Sequence, residues 1–253
     1  MKDSPMGLIS RFLPQSVQER GREIRTFMPR FGCINERRNQ LHEVIRLSGM
    51  NLIIDDTDHS LIIKVASIQQ ARMQIYFIDN EDYFHRKFVY RDKNNVFFED
   101  NDERAIFYAR GVLETVKKLG WSPDIVHCHG WMSALTPLYV RKVYYENPLF
   151  AASKVITSVY DDDFIEPFHT EMYTKLKNEG IALKDLKHFK KADYVSLMKS
   201  AIDMSKGIII GSEQINPELS DYIEKSGKLV LPYQDLDHYI PIYNEFYEQV
   251  LKS

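Results

Sequence analysis

Short apolar runs alternate with amphipathic stretches through the second half of the chain. The alternation predicts βαβ units and a parallel sheet whose two faces are covered by helices. The runs with the length and composition of buried parallel strands are "DIVHC", "KVITSVY", "GIIIG" and "KLVLP". Helical patterns occupy "MSALTPLYVRKVYYE", residues 167–205 and residues 236–251.

The first half of the chain has a different pattern. A short amphipathic helix is predicted in "RFLPQSVQERG" and a strand over residues 22–29. Three β-rich runs between residues 41 and 79, with "DDTDH" among them, predict hairpins or a small mixed sheet. The segment "EDYFHRKFVYRDKNNVFFEDND" has no period and is predicted to be a long loop.

The clearest helix is "ERAIFYARGVLETVKKLG", whose apolar residues recur every 3.6 positions until Gly120 ends it. Gly111 inside this helix is expected to cost ~1 kcal/mol relative to alanine. The predicted fold class is therefore α/β: a Rossmann-like parallel sheet flanked by helices, with a β-hairpin insertion.

Composition narrows the class of protein. The chain has 253 residues, 44% of them hydrophobic, which is enough for a substantial core. With a net charge of −3 it lacks the basic surface that nucleic acid demands, so no nucleic-acid partner is expected. No apolar run approaches the roughly 20 residues of a membrane span, and "MKDSPMGLISRFLP" does not resemble a signal peptide. Two distant cysteines favour a reducing, cytoplasmic location.

Candidate chemistry lies at the carboxyl ends of the predicted strands, where ligands of parallel sheets bind. His127 and His129 are two apart and should point to the same side of their strand. Gly130 lets a ligand approach the backbone, and the following helix offers free N–H groups. This corner fits a sugar or a phosphate. Trp131 could stack on a pyranose ring or anchor the helix.

Other interpretations of these residues remain open. A strand histidine is often a satisfied core residue, and Trp131 could be core as well. A zinc site made of His127, Cys128 and His129 is disfavoured because Cys128 alternates to the opposite face, so no metal is expected.

Two further patterns can be interpreted either as functional sites or as ordinary structural features. The acidic "YDDDF" at residues 160–164 could hold a divalent cation, but a solvated loop is favoured because the flanking pattern of a calcium loop is absent. Tyrosines at positions 239, 243 and 247 form a helical stripe that favours packing or a partner surface.

A longer segment resembles a known family. The stretch "DNDERAIFYARGVLETVKKLGWSPDIVHCHGWMSALTPLYV" is similar to bacterial glycogen synthases and plant starch synthases, which carry D-N-x-x-R-F, an amphipathic helix and W-x-P-D-V-V-H-x-H-D-W. Weaker similarity extends over most of the chain, as in "LPQSVQERGREIRTFMPRFG" and "KVITSVYDDDF". The matching positions are Asp100, Asn101, Arg104, Trp121, Pro123, Asp124, His127, His129 and Trp131.

The resemblance implies a GT-B glycosyltransferase that moves glucose from ADP-glucose or UDP-glucose to an α-1,4-glucan with retention, without a metal or cofactor. It implies that His129 is the active-site histidine and that Asp100, Asn101 and Arg104 shape the acceptor side. Gly130, Trp131, Tyr160 and Asp161 are the further substrate-binding candidates on the same grounds.

The sequence also departs from the family. "KDSPMGL" keeps only Gly7 of the family's K-x-G-G-L loop, Lys2 is not matched to its lysine, and the preceding strand is missing. Either Met1 is not the true start or the fold has lost an element. Gly130 replaces the aspartate of H-D-W, and Tyr160 and Asp161 replace a histidine and an asparagine.

Residues 1–253 are thus predicted to be a single GT-B half-domain, with the nucleotide-sugar domain absent. The first hypothesis is a glucosyltransferase domain of glycogen or starch synthesis, acting on an α-glucan and active only with a separately encoded second GT-B domain, or inactive. The second is a non-catalytic glucan-binding or regulatory protein of glycogen metabolism.

Overall fold

A computed structural model describes residues 4–253 of the chain. Lys2, which the sequence does not match to the family lysine, lies outside the described residues. The strands are β1 (Thr26–Pro29), β2 (His42–Glu43), β3 (Met50–Ile54), β4 (Thr57–Ile68), β5 (Met73–Asp79), β6 (Ile125–His129), β7 (Lys154–Val159), β8 (Gly207–Ile210) and β9 (Leu229–Leu231). The α-helices are α1 (Pro5–Glu19), α2 (Glu81–Phe84), α3 (Asn101–Leu119), α4 (Thr136–Lys142), α5 (Met172–Asn178), α6 (Tyr194–Met204), α7 (Pro217–Glu224) and α8 (Tyr239–Lys252). Three 3₁₀ segments cover Gln69–Ala71, Trp131–Ser133 and Leu183–Lys190.

The described residues group into two compact units. The terminal unit joins the N-terminal residues up to Arg22 with Ser122–Ser253, and the middle unit is Glu23–Trp121. The assignment of residues 1–253 to one half-domain stays a prediction. None of the helices within residues 4–253 is both long enough and apolar enough to cross a membrane.

The terminal unit contains the predicted parallel sheet. Its strand order is β6-β7-β8-β9, and every neighbouring pair is parallel. Ile156 of β7 and Ile209 of β8 share a core with apolar residues of α1 and α8, among them Leu13 and Phe246. Alternation turns Thr157 to the other face, where its hydroxyl bonds with that of Ser205 beyond α6 at 2.7 Å. Helical segments thus cover both faces, which confirms the predicted α/β fold class.

The middle unit contains a mixed sheet. Its order is β1-β5-β4-β2, with β3 paired to β4, and only the β1–β5 pair is parallel. The β3–β4 hairpin closes where Ile54 pairs with Thr57, and Asp55 takes a positive φ of 54° in the turn. The predicted β-hairpin insertion is confirmed.

Helix α3 lies close to this sheet at one glycine. A Cβ atom on Gly111 would stand 2.8 Å from Ile78 Cγ2 and 3.1 Å from Leu61 Cδ1. Helix propensity alone predicts that Gly111 destabilises the helix. The structure shows that the absence of a side chain at Gly111 allows the helix to approach β4 and β5.

Several elements differ from the prediction. The helix expected over residues 132–146 is divided into a 3₁₀ turn and the seven-residue α4. Helix α2 lies in the predicted long loop, and α7 was not predicted although Asn216 caps it and Pro217 opens it. The first strand is shorter than residues 22–29, since β1 begins at Thr26.

Candidate active site

Two histidines lie side by side where β6 ends in the terminal unit. The ring centroids of His127 and His129 are 3.9 Å apart, so both point to the same side, as the strand alternation predicts. Cys128 between them is buried, and burial raises the pKa of its thiol to about 12. The thiol is therefore not a nucleophile near neutral pH.

His127 is held at both ring nitrogens. Its Nε2 lies 2.7 Å from Ser158 Oγ, and its Nδ1 lies 2.7 Å from the Tyr247 hydroxyl on α8. Burial, followed by the neighbouring His129, lowers the pKa of His127 well below its usual value. This histidine is a neutral, fully bonded group that supports the next one.

His129 differs because only one of its nitrogens is bonded. The Tyr160 hydroxyl lies 2.8 Å from Nδ1, whereas Nε2 has no hydrogen-bond partner among the described residues. The residue is half-buried, and burial of the ring lowers its pKa to about 4. When Tyr160 donates to Nδ1, the neutral ring carries its proton on Nε2 and offers it to a ligand.

The backbone after His129 makes a tight turn. Gly130 has φ 67° and ψ −179°, a region that essentially only glycine adopts. Its N–H donates to the Ser158 carbonyl at 3.2 Å. The Ser133 hydroxyl bonds back to the carbonyls of His129 and Gly130 at 2.9 and 3.0 Å. These bonds hold the His129 carbonyl and delay the start of α4 until Thr136.

A carboxylate already occupies the start of this turn. Asp162, from the loop after β7, accepts the Trp131 N–H on Oδ2 at 3.0 Å and the Tyr194 hydroxyl on Oδ1 at 2.9 Å. Burial raises the pKa of Asp162 to about 6, against the effect of these hydrogen bonds. The Trp131 N–H, one of the groups expected to be free for a ligand after the strand, is thus taken by the protein itself.

Trp131 anchors the turn. Only 3% of the residue is exposed, and its ring packs against Phe164 and Phe168 with centroids 5.2 and 5.8 Å away. Of the two roles left open by the sequence, this burial supports anchoring, and a contact of Trp131 with a pyranose stays a prediction.

The remaining candidates of this unit follow β7. Tyr160 is 2% exposed and lies behind His129. Asp161 is exposed, and its N–H donates to Ser212 Oγ at 3.0 Å, while Asp163 accepts from Asn216 Nδ2 at 3.1 Å. Within residues 4–253, no three His, Cys, Asp or Glu side chains are grouped to hold a metal ion.

The candidates of the middle unit lie at the start of α3. Asp100 pairs with the Arg86 guanidinium through both oxygens, one of them at 2.6 Å. Asn101 and Arg104 are fully buried, and the Arg104 guanidinium donates to the Asn101 side chain at 2.6 Å and to the Tyr83 carbonyl at 2.8 Å. Burial lowers the pKa of Arg104 to about 10. These two side chains bond to the surrounding loop, and their part in shaping an acceptor side stays a prediction.

The middle unit also contains a buried ion cluster that the sequence did not indicate. Asp79, at the end of β5, is fully buried and lies 3.2 Å from Arg30, 3.0 Å from Lys64 and 3.2 Å from His85. Glu36 shares both Arg30 and Lys64 at 3.1 and 2.7 Å. The opposite charges balance, which is the pattern of a structural ion-pair cluster.

His127, His129 and Gly130 form what we call the histidine corner. The sequence did not predict the residues that support this corner. Asp162, Tyr194 and Tyr247 lie 31 to 120 positions away in sequence from the groups they contact. The one available signal was the tyrosine stripe: Tyr239 and Tyr243 belong to the core, while Tyr247 reaches His127.

The chain is similar to proteins of glycogen and starch synthesis. The family model described as the starch synthase catalytic domain matches residues 2–229. The glycogen synthase of Chlorobium limicola is 40% identical over 149 residues, which are 58% of this chain and 30% of that protein. The glycogen synthase of Pelodictyon phaeoclathratiforme is 36% identical over 159 residues, or 62% of this chain and 32% of its own length. The chain therefore spans about a third of the length of the curated relatives it matches.

A solved structure shares the fold. The catalytic domain of starch synthase IV from Arabidopsis thaliana, bound to ADP and acarbose, aligns with a TM-score of 0.69 and 16% sequence identity. The alignment covers 92% of this chain and 48% of that one. At this identity the likeness shows the GT-B fold alone.

Proposed function

Because the chain belongs to the starch synthase catalytic domain family, we propose that it is the glucan-handling part of a glucosyltransferase of glycogen or starch synthesis. The proposed reaction moves glucose from ADP-glucose or UDP-glucose to an α-1,4-glucan, with retention and without a metal or cofactor. The observation that carries the proposal is His129: a neutral imidazole at a strand end, within the matched segment, whose Nε2 is left for a ligand.

In this proposal His129 is the catalytic residue. A neutral Nε2–H donates to a hydroxyl of the transferred sugar, and Tyr160 fixes the ring by its bond to Nδ1. Gly130 serves the site through the backbone turn that its positive φ permits, while Asp162 and Met6 fill the space beside its Cα atom. The exposed carboxylate of Asp161 accepts from sugar hydroxyls, while Trp131 supports the turn from beneath.

For three residues of the middle unit, the same proposal keeps the acceptor role that the family resemblance implies. Asp100 is only partly buried and can accept from glucan hydroxyls while Arg86 orients it. Asn101 and Arg104 shape this side indirectly by holding the loop, through the Tyr90 and Tyr83 carbonyls.

The donor side of the reaction needs groups that stabilise a departing diphosphate. Because the chain spans only about a third of the relatives' length, we propose that a second GT-B domain supplies these groups as a partner for the complete reaction. The Arabidopsis domain of the same fold was captured with ADP and acarbose, which supports a nucleotide sugar and a glucan as the substrates here. We place the protein in the cytoplasm as part of this proposal.

The test is incorporation of labelled glucose. Purified protein is combined with the proposed second GT-B domain and incubated with labelled ADP-glucose or UDP-glucose and a glycogen primer, and glycogen-bound label is counted. We expect transfer to fall about 100-fold or more in His129→Ala, because a preorganised hydrogen-bond donor is lost. His169→Ala, at an exposed histidine in the loop before α5, is the matched control and should keep the wild-type rate.

Two outcomes contradict the proposal. Equal transfer by His129→Ala and the wild type would remove the histidine from the reaction. Retention of glycogen by the wild type without any incorporation, in the presence of the second GT-B domain, would favour the non-catalytic glucan-binding alternative.

A further inference from the structure

Asp162 is the one carboxylate of the acidic loop that turns inward. We propose that Asp162 is a positioning residue of the candidate site, whose carboxylate fixes the turn from His129 to Trp131 and thereby aims the His129 imidazole at the sugar. The aim toward a sugar rests on the proposed function, whereas the positioning of the turn stands on the geometry alone.

The first support is the pair of hydrogen bonds on the two carboxylate oxygens. Oδ2 accepts the Trp131 N–H at 3.0 Å, and Oδ1 accepts the Tyr194 hydroxyl at 2.9 Å. Tyr194 lies at the start of α6 and is 1% exposed. The carboxylate therefore ties the loop after β7, the turn after β6 and helix α6 together at one point, two residues from His129.

The second support is the space at Gly130. A Cβ atom on this residue would lie 2.5 Å from Asp162 Oδ2 and 2.4 Å from Met6 Cε. The related H-D-W motif has an aspartate at the position of Gly130. In this chain the carboxylate of Asp162 fills the space in which a side chain at residue 130 would begin.

The third support is the surroundings of the carboxylate. The groups around it are the Trp131 amide, its own backbone amide, the Tyr194 hydroxyl from α6, and the neighbouring Tyr160 and Asp163. Nothing in this set is cationic, which agrees with a pKa raised to about 6 by burial. The positioning contact should therefore respond to pH in the range in which Asp162 titrates.

A spectroscopic titration tests the contact without reference to catalysis. The Trp121→Phe background leaves Trp131 as the sole tryptophan, and its emission is followed from pH 4.5 to 8. We expect a transition centred near pH 6 that disappears in Asp162→Asn. Asp163→Asn, at the exposed neighbour, is the matched control and should keep the transition. Persistence of the transition in Asp162→Asn, or a flat wild-type curve, overturns the proposal.

Glucan affinity tests the consequence for the site. Asp162→Ala removes both hydrogen bonds and should weaken binding of maltoheptaose about tenfold or more at pH 7. Asp162→Asn can still accept from Trp131 and bond to Tyr194, so it should rescue most of the affinity. A folded Asp162→Ala protein that binds like the wild type overturns the proposal; should this variant not fold, the Asp162→Asn titration decides. Failure of the wild type to bind maltoheptaose counts against the proposed function, while the emission titration still decides the positioning role.

Discussion

Gly130 is the residue at which backbone strain and crowding coincide. Its positive φ excludes most side chains, and a Cβ atom at this position would lie only 2.5 Å from Asp162 Oδ2. We expect Gly130→Ala to lower the free energy of unfolding by about 3 kcal/mol or more, measured by chemical denaturation. Gly180→Ala is the control, because Gly180 also has a positive φ but open space at its Cβ, and should cost only about 1 kcal/mol. Equal losses in the two variants would show that crowding at residue 130 is unimportant.

Acid sensitivity provides a second prediction at the residue scale. The pKa of His129 is lowered to about 4 and that of His127 also falls well below its usual value, so between pH 6.5 and 4 the unfolded chain binds more protons at these rings than the folded protein does. The two histidines therefore reduce stability as the pH falls. Asp162 acts in the opposite sense, because its raised pKa of about 6 makes the folded protein bind the proton first.

Asp162→Asn removes the opposing contribution. We expect its free energy of unfolding to decline more steeply than that of the wild type between pH 6.5 and 4, in denaturation curves recorded at several pH values. Asp163→Asn should follow the wild-type slope. A slope for Asp162→Asn that is equal to or shallower than the wild-type slope would contradict the raised pKa of the buried carboxylate.

The sequence predicted individual residues where the reason was local. Alternation along β6 correctly placed His127 and His129 on one side and Cys128 on the other. It could not predict Asp162, because its partner Trp131 lies 31 positions earlier and only the pairing of β6 with β7 brings them together. Whether the substrate-binding residues inferred from the family contact a sugar stays a prediction.

At the scale of elements, periodicity and length decided what could be predicted. Helix α3 was found because its apolar stripe is long, and the strands of the parallel sheet were found because short apolar runs alternate with helices. The helix after β6 was predicted too long, since the Ser133 hydroxyl bonds back to His129 and Gly130 and tightens the chain there. Helix α7 had a capping asparagine and an N1 proline that could have revealed it.

Gly111 of α3 gives a prediction at the scale of a helix on a sheet. Helix propensity alone favours alanine by ~1 kcal/mol, but the added methyl group would meet Ile78 Cγ2 at 2.8 Å. We expect Gly111→Ala to lower the free energy of unfolding by about 1 kcal/mol, because the overpacking cost of about 1–3 kcal/mol exceeds the gain. In an Ile78→Ala background the same change should be neutral or stabilising. A stabilised single variant would show that the helix shifts freely on the sheet.

At the scale of the whole molecule, the family match and the length of the chain relative to its relatives determine which steps of the proposed reaction can be tested with this chain. The match covers residues 2–229, yet the chain spans only about a third of the glycogen synthases it resembles. In the proposed function, glucan binding uses His129 and its neighbours within the described residues, whereas complete transfer also requires a donor side. Glucan binding at His129 is therefore the part of the proposal that can be tested with this chain alone.

The most direct measurement follows the histidine side chains by long-range ¹H–¹⁵N NMR during a titration with maltoheptaose at pH 7, with the His129 signals assigned from a His129→Gln variant. We expect the Nε2 signal of His129 to shift and saturate with the glucan, while the exposed His169 stays unchanged. Saturable glucan binding that leaves the His129 signals in place would contradict the assignment of the sugar site to this corner.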